Sequence, residues 1–427
     1  MPRPAVTLPV VPQRWDCHSC GECCRSYSVS VTAVEKARLE AQGWGARPEF
    51  AGVPGVVADG RLGQFRLNQR PDGACVFLGA DNRCRIHAEF GSTAKPMSCQ
   101  IYPFIMVPAG DHWRVSLRLA CPSAVADRGR PLADHGADLH DYAALLEADA
   151  GVTLTVGATA SPPPPLQAGD AAPSPWPDLI RFAQSLAAQV ADDSVPLEYR
   201  LRNVVAVAAL CRKSRFEAIS GARLSEFLAV ITAAVAEDVP REAAGVAPPG
   251  LLGRTVFRQV AAIYSRKDAG THAGVSSRSR GTRLRAAWRF AVGRGPVPKL
   301  HGQIPPGATF EDAERPQPLT AEGDALLTRF YRLKLESLQF CGPTNFGRPF
   351  GAGLDALVLT YPVIRWLGRV FAAGGTRTPD EALRLAVQAI DDSFGFNPLL
   401  GSRRQAWGVR TLAERGELAK LVAWYGR

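Results

Sequence analysis

Eight of the ten cysteines of this 427-residue chain lie between Cys17 and Cys121, four of them in the single run Cys17-His-Ser-Cys20-Gly-Glu-Cys23-Cys24. No other feature constrains the fold as tightly. Thiolates two residues apart turn back onto one ion or one iron–sulfur cluster, because a C-x2-C bend points both sulfurs inward while intervening amides donate to them. Cys75, Cys84, Cys99 and Cys121 supply enough further ligands to close that site or to build a second one. The vicinal pair Cys23-Cys24 is expected to split between sites, since consecutive side chains leave the backbone in diverging directions. Two four-thiolate sites would use all eight sulfurs and one cluster would use half of them; the spacing leaves both open.

A disulfide framework is the competing use for so many cysteines, and it needs an exported chain. The N-terminal stretch Met-Pro-Arg-Pro-Ala-Val-Thr-Leu-Pro-Val-Val-Pro has no uninterrupted apolar core of a signal peptide, and its prolines favour an extended lead-in. No uncharged span approaches the roughly 18 residues of a membrane helix, so no membrane span is expected. A reducing cytoplasmic setting, where such patterns bind metal, is the expectation.

Three further blocks follow the CxxCxxCC run in order: Asp72-Gly-Ala-Cys75-Val-Phe-Leu, Asn82-Arg-Cys84-Arg-Ile-His87, and Lys95-Pro-Met-Ser-Cys99-Gln-Ile-Tyr102-Pro-Phe104. Together the four blocks resemble the YkgJ-type cysteine-cluster family over roughly residues 14 to 125. Members are described as zinc- or iron-chelating proteins, and one branch comprises flagellin lysine N-methylases. The resemblance implies that Cys17, Cys20, Cys23, Cys24, Cys75, Cys84, Cys99 and Cys121 are the metal ligands. At Cys121 the chain continues Pro-Ser, where a glycine would be expected close by.

The residues between the cysteines read as a small irregular α+β unit in which metal replaces part of a hydrophobic core. Thr32-Ala-Val-Glu35 is a capping box opening a short helix that ends near Gly43, after a strand from Tyr27 to Val31. Cys75–Leu78 and Arg83–Ile86 flank a turn at 79–82 that would bring Cys75 and Cys84 together as a hairpin. Trp113, Val115, Leu117 and Leu119 alternate with polar residues, a strand that would deliver Cys121. With eight thiols available, His18 and His87 are expected outside the ligand set. Asp72, Arg85 and Lys95 are expected to be solvated.

Iron–sulfur is favoured over zinc. Cys17-x2-Cys20-x2-Cys23 echoes a bacterial ferredoxin run, although there the fourth cysteine comes three residues later and is followed by proline. Zinc ribbons use two C-x2-C knuckles, and the second is missing because Cys75 and Cys84 are nine apart. The C-x3-C-x2-C spacing of radical S-adenosylmethionine enzymes does not occur.

The expected domain order is a cysteine-cluster domain over 14–156, a Pro/Ala-rich linker over 157–177, and a mainly α-helical domain over 178–427. A helix from His135 to Ala150 closes the first. In the last, Leu224, Leu228, Ile231 and Val235, and Leu327, Tyr331, Leu335 and Leu338, step by helical intervals. Thr378-Pro-Asp-Glu381 caps a helix through Ile390, and Leu418, Leu421, Val422 and Tyr425 share one face of a final helix. Cys211 sits in an apolar helical run and is expected to be an inert core residue, as is Cys341.

Charge is concentrated in one place. Residues 241–303 hold twelve Arg or Lys against Glu242 and Asp268, an excess that equals the net charge of +10 of the whole chain. Arg278, Arg280, Arg283, Arg285, Arg289 and Arg294 interleave with Trp288 and Phe290, a pattern suited to an acidic partner; nucleic acid is disfavoured because no recognised module accompanies it.

Two functions follow. One is a lysine N-methyltransferase similar to the flagellin lysine N-methylases, using S-adenosylmethionine on a protein substrate that presents a lysine. The other is a non-enzymatic structural or redox metal module joined to a helical partner-binding domain. Against the first, no strand leads into a G-x-G turn, and Phe346-Gly-Arg-Pro-Phe-Gly351-Ala-Gly353 reads as a loop between helices. Catalytic residues and cofactor-contacting residues are not assigned by the sequence.

Overall fold

A computed structural model describes residues 4–59, 64–150, 162–167, 174–213, 219–267 and 280–427. Most of the 157–177 linker and residues 268–279 of the basic segment, Arg278 included, lie outside the described residues. The fold is α+β, with short strands confined to the N-terminal part and helices dominating the rest.

Three small sheets and six helices make up the first 150 residues. Strand β1 (Ala5–Thr7), β2 (Arg14–Trp15), helix α1 (Glu22–Ser26), β3 (Ser30–Val31) and α2 (Ala33–Glu40) come first. Then follow β4 (Val56–Asp59), β5 (Gln64–Leu67), α3 (Arg85–Phe90), α4 (Met97–Ile101), β6 (Phe104–Ala109), β7 (His112–Leu117), α5 (Pro122–Val125), β8 (Arg130–Pro131) and α6 (Gly136–Ala150). The sheets have the orders β1-β7-β6, β2-β8 and β3-β5-β4. The β6–β7 hairpin pairs Met106 with Val115 and turns at Gly110-Asp111, where Gly110 has φ 74 as a two-residue hairpin turn requires.

The capping box forms as expected, with Glu35 N–H donating to the Thr32 hydroxyl and the Glu35 carboxylate accepting from Thr32 N–H. Two local expectations are corrected. The strand ahead of α2 spans only Ser30–Val31, and the segment after the 79–82 turn is helical: Leu78 and Cys84 face each other in one isolated bridge, after which α3 begins with Cys84 as its N-cap. A lone bridge closes the turn, and the Arg85-Ile-His-Ala-Glu-Phe sequence has no alternating pattern to extend it.

The described residues from 174 onward are mainly helical: α7 (Trp176–Ala191), α8 (Leu197–Lys213), α9 (Gly221–Asp238), α10 (Leu251–Tyr264), α11 (Arg280–Val292), α12 (Phe310–Glu314), α13 (Ala321–Glu336), α14 (Phe350–Ala372), α15 (Pro379–Ser393), α16 (Arg403–Glu414) and α17 (Glu417–Gly426). Helix α14 is buried on all sides, as a helix apolar around its circumference must be, and is packed by α8, α10, α12, α15, α16 and α17. Helix α15 starts with the full Thr378/Glu381 capping box, and Leu418, Leu421, Val422 and Tyr425 of α17 are buried. Leu338 falls beyond the end of α13, in the left-handed region at φ 61. Of the 346–353 stretch, Phe346 to Pro349 is a connection and Phe350 opens α14. Among the described residues, no helix is long and apolar enough to cross a membrane.

Two hydrophobic cores result. The smaller gathers Val31, Leu39, Trp44, Phe50, Leu67, Val76, Phe77 and Ile86, with Cys24, Cys84 and Cys99 packed against it. Its centre is an aromatic triangle in which Trp44 and Phe77 lie 5.2 Å from each other and Phe50 completes the set at 5.2 and 5.4 Å. The larger core runs from the β6–β7 hairpin and α5 through α6 into all the long helices.

Candidate metal centre

Four motif blocks reach one neighbourhood through backbone bonds that the small lobe provides. Cys23 and Cys24 sit on α1, whose N-cap Gly21 adopts φ 70 and accepts from Cys24 N–H and Arg25 N–H, each at 3.1 Å. Arg25 crosses to Asn82 Oδ1 at 2.7 Å, tying the 79–82 turn to α1. A bulkier residue at Gly21 would collide with that guanidinium, since an added Cβ lies 2.3 Å from it. The carbonyl of Cys24 accepts from Cys75 N–H at 2.8 Å, joining the first block to the second. Cys84 is reached through the Leu78 bridge and through Arg85 N–H donating to Phe77 O at 2.9 Å. Cys99 lies on α4, whose first N–H, that of Met97, donates to Glu35 Oε1 at 2.7 Å. Glu35 therefore caps two helices with one carboxylate, its other oxygen serving Thr32.

The thiols sense each other. Burial pushes Cys75 up to about 12, and the proximity of Cys84 and Cys23 adds to the rise. Burial raises Cys99 as well, reinforced by Cys75, Cys84 and Cys23 and opposed by Lys95. Cys23 is raised chiefly by its side-chain hydrogen bond with Cys24, then by burial. Cys24 therefore lies close enough to Cys23 to act on its ionisation.

Cys23, Cys24, Cys75, Cys84 and Cys99 form a partly buried thiol group in which burial opposes ionisation of Cys23, Cys75 and Cys99. A soft cation is the physical remedy for such a set, and thiolate donors suit zinc and iron–sulfur clusters equally by type. Among the described residues, no three His, Cys, Asp or Glu side chains are gathered closely enough, as they stand, to hold one ion. The donor chemistry fits a metal; the side chains share a neighbourhood without a converged coordination shell.

Cys17, Cys20 and Cys121 form a second set. Cys17 and Cys20 are exposed on the loop after β2, and His18 Nδ1 fastens that loop through Asp16 O at 2.9 Å and Ser123 Oγ at 3.0 Å. Ser123 belongs to α5, whose N-cap is Cys121. Burial raises the Cys121 thiol, and Cys20 adds a smaller repulsive contribution. His18 is thus a loop anchor. His87 is exposed on α3, with its pKa lowered by burial and by Lys95. Asp72 accepts from Ala74 N–H within its own turn, and Arg85 pairs with Glu49 at 2.9 Å. Cys211 and Cys341 are buried in the large core, where burial alone raises Cys341 and pushes Cys211 up to about 12 against Arg212.

A cluster of residues next to Cys121 was not legible in the motif blocks. Arg118 stacks on Phe396 at 3.9 Å and Tyr27 at 4.8 Å, and pairs with Asp392 at 3.2 Å. Burial opposes ionisation of Asp392, yet Lys267 and Arg118 hold its carboxyl below the usual range. The adjacent Asp391 accepts from Ala120 N–H at 3.3 Å and meets Lys334 at 2.5 Å, both side chains wholly buried. These contacts clamp the segment carrying Cys121 to α13 and α15. The available signal was the acidic pair Asp391-Asp392 closing an otherwise apolar helix face.

Residues 16–122 match the family model described as CxxCxxCC: Putative zinc- or iron-chelating domain. No curated protein and no solved structure matches the chain. The match spans all eight clustered cysteines and both thiol groups built above. The N-terminal cysteine-rich stretch of this chain is thus similar to the CxxCxxCC domain over residues 16–122, about a quarter of the chain.

Proposed function

We propose that the protein carries a thiolate-ligated metal centre, an iron–sulfur cluster in preference to zinc, held by Cys23, Cys24, Cys75, Cys84 and Cys99, with Cys17, Cys20 and Cys121 as a second ligand group. The observation that supports this reading is that five thiols, from α1, the 75–84 turn and α4, share one neighbourhood beside the small core. Iron–sulfur is preferred because Cys17-x2-Cys20-x2-Cys23 echoes a ferredoxin run, while the second C-x2-C knuckle of a zinc ribbon is missing, Cys75 and Cys84 lying nine apart. A bound centre would stabilise the thiolate forms that burial disfavours at Cys75 and Cys99. The chain's own contribution is to fix the cysteines through the Cys24–Cys75 backbone bond, the Arg25–Asn82 bridge and the Glu35 double cap.

The methyl-transfer reading rests on the family resemblance alone. Among the described residues, the one parallel strand pair, β1–β7, has neither a glycine turn nor a crossover helix that forms a nucleotide pocket. The metal module attached to a helical body is the better-supported function.

The test is anaerobic purification followed by visible absorption and elemental analysis for iron, zinc and acid-labile sulfide. Comparable iron and sulfide in the wild type, lost in Cys75→Ser and Cys99→Ser but kept in Cys211→Ser and Cys341→Ser, is the expected result. Tightly held zinc without sulfide moves the centre to a structural zinc site, and metal content indifferent to all four changes refutes the assignment. Equilibrium dialysis with S-adenosylmethionine separates the enzymatic reading from the module.

A further inference from the structure

Helices α10, α11 and α16 enclose a cavity of about 400 Å³, far from the cysteine lobe in sequence and assigned no role by the metal centre. Its volume falls within the roughly 300–1,000 Å³ of small-ligand sites. The walls are apolar, formed by Ala262 and Ile263 of α10 and by Ala286 and Phe290 of α11. Two exposed cations also line it, Arg283 on α11 and Arg404 on α16, neither of which pairs with a carboxylate among the described residues. Gln405, 9% exposed, also lines the cavity.

We propose that this cavity binds an amphiphilic organic anion, an apolar body against Ile263 and Phe290 with a carboxylate or phosphate head between Arg283 and Arg404 and within reach of the Gln405 amide. The apolar walls exclude a bare inorganic ion as the ligand they favour, and the two guanidiniums select against neutral and cationic bodies of the same shape. The inference stands apart from the metal centre: loss of metal from the cysteine variants would leave it untouched. It gives a specific site to the acidic partner expected from the charge of residues 241–303.

Isothermal titration of the full chain with decanoate, decyl phosphate, decanol and decylamine tests it. At least one of the two anions is expected to bind saturably at one site per chain, about tenfold or more tighter than decanol, with no saturable uptake of decylamine; which anion wins identifies the head group. Arg404→Ala is expected to weaken the anion about tenfold while leaving decanol unchanged, and Ala286→Leu, which fills the cavity, to weaken both. Failure of both anions to bind, decanol binding as tightly, or indifference to Arg404→Ala and Ala286→Leu would each overturn the proposal. Binding of a polyglutamate peptide in place of either amphiphile would likewise overturn it and make the face a protein-docking surface. Circular dichroism of Arg404→Ala, an exposed position, guards against misfolding as the cause of any loss.

Discussion

Breaking the Lys334–Asp391 pair is the sharpest test of how the cysteine segment is held to the helical body. Both side chains are 0% exposed, so neither charge is screened by water. Lys334 Nζ lies 2.5 Å from Asp391 Oδ1 and donates to Gln339 Oε1 at 2.9 Å and to Leu117 O at 3.3 Å. Burial lowers the Lys334 pKa and Asp391 counters that, which means the ammonium depends on this carboxylate for its charge. Asp391→Asn keeps the shape and removes the charge, leaving a buried ammonium with only carbonyl partners. Truncating one member of such a pair costs about 3–5 kcal/mol, a large part of the roughly 5–15 kcal/mol that stabilises a domain. Lys334→Met should cost a similar amount, slightly less because Ala120 N–H still donates to Asp391. The double change Lys334→Met/Asp391→Leu removes both charges and is expected to be less destabilised than either single change. Urea unfolding followed by circular dichroism gives the three values, and hydrogen exchange over α13, α15 and residues 117–125 locates the loss. Single changes costing under about 1 kcal/mol, or costs that merely add in the double variant, would show that the pair does not hold the interface.

Phe77→Ala removes the shared member of the Trp44–Phe50–Phe77 triangle, where Phe77 is 1% exposed, and is expected to cost about 3–5 kcal/mol; hydrogen exchange should rise across residues 24–99 and stay unchanged in α14. Burial raises Asp355 to about 6 although Arg212 opposes the rise. Between about pH 4 and pH 6 the folded chain therefore holds a proton that the unfolded chain has released, so this group's contribution to stability falls as pH rises through that window. Asp355→Asn removes the titration, and the wild type should lose on the order of 2–3 kcal/mol relative to it between pH 4 and pH 7, read from paired urea curves. Thr378→Ala deletes the capping box of α15 and should cost about 1 kcal/mol, measured as a lower thermal midpoint and faster exchange in the first turn of that helix.

What could be seen in advance had a common character: it was local. The Thr32 and Thr378 capping boxes, the β7 alternation and the buried face of α17 all follow from residues a few positions apart, because capping bonds and side-chain periodicity act over one or two turns. The hairpin expected across 83–86 failed for the same reason: Cys84 has one bridging partner, and the helix signal immediately after it was weaker than the turn signal before it. The cysteine spacing announced thiolate chemistry without saying which sulfurs would meet.

That pairing was decided by tertiary structure. Cys24 and Cys75 are joined by a backbone bond across fifty-one positions, and Cys20 and Cys121 are brought together because His18 reaches Ser123. Asp391 and Asp392 look like ordinary helix-end acids in the sequence, yet one neutralises Lys334 and the other Arg118 and Lys267. Composition and spacing are enough to specify a soft-metal donor set and a helical body, since those depend on residue type and local period. Which thiols share a site, and which charges are buried against which, depends on packing between segments distant in the chain, where the free energy of burying a charge is settled only by the partner that arrives beside it.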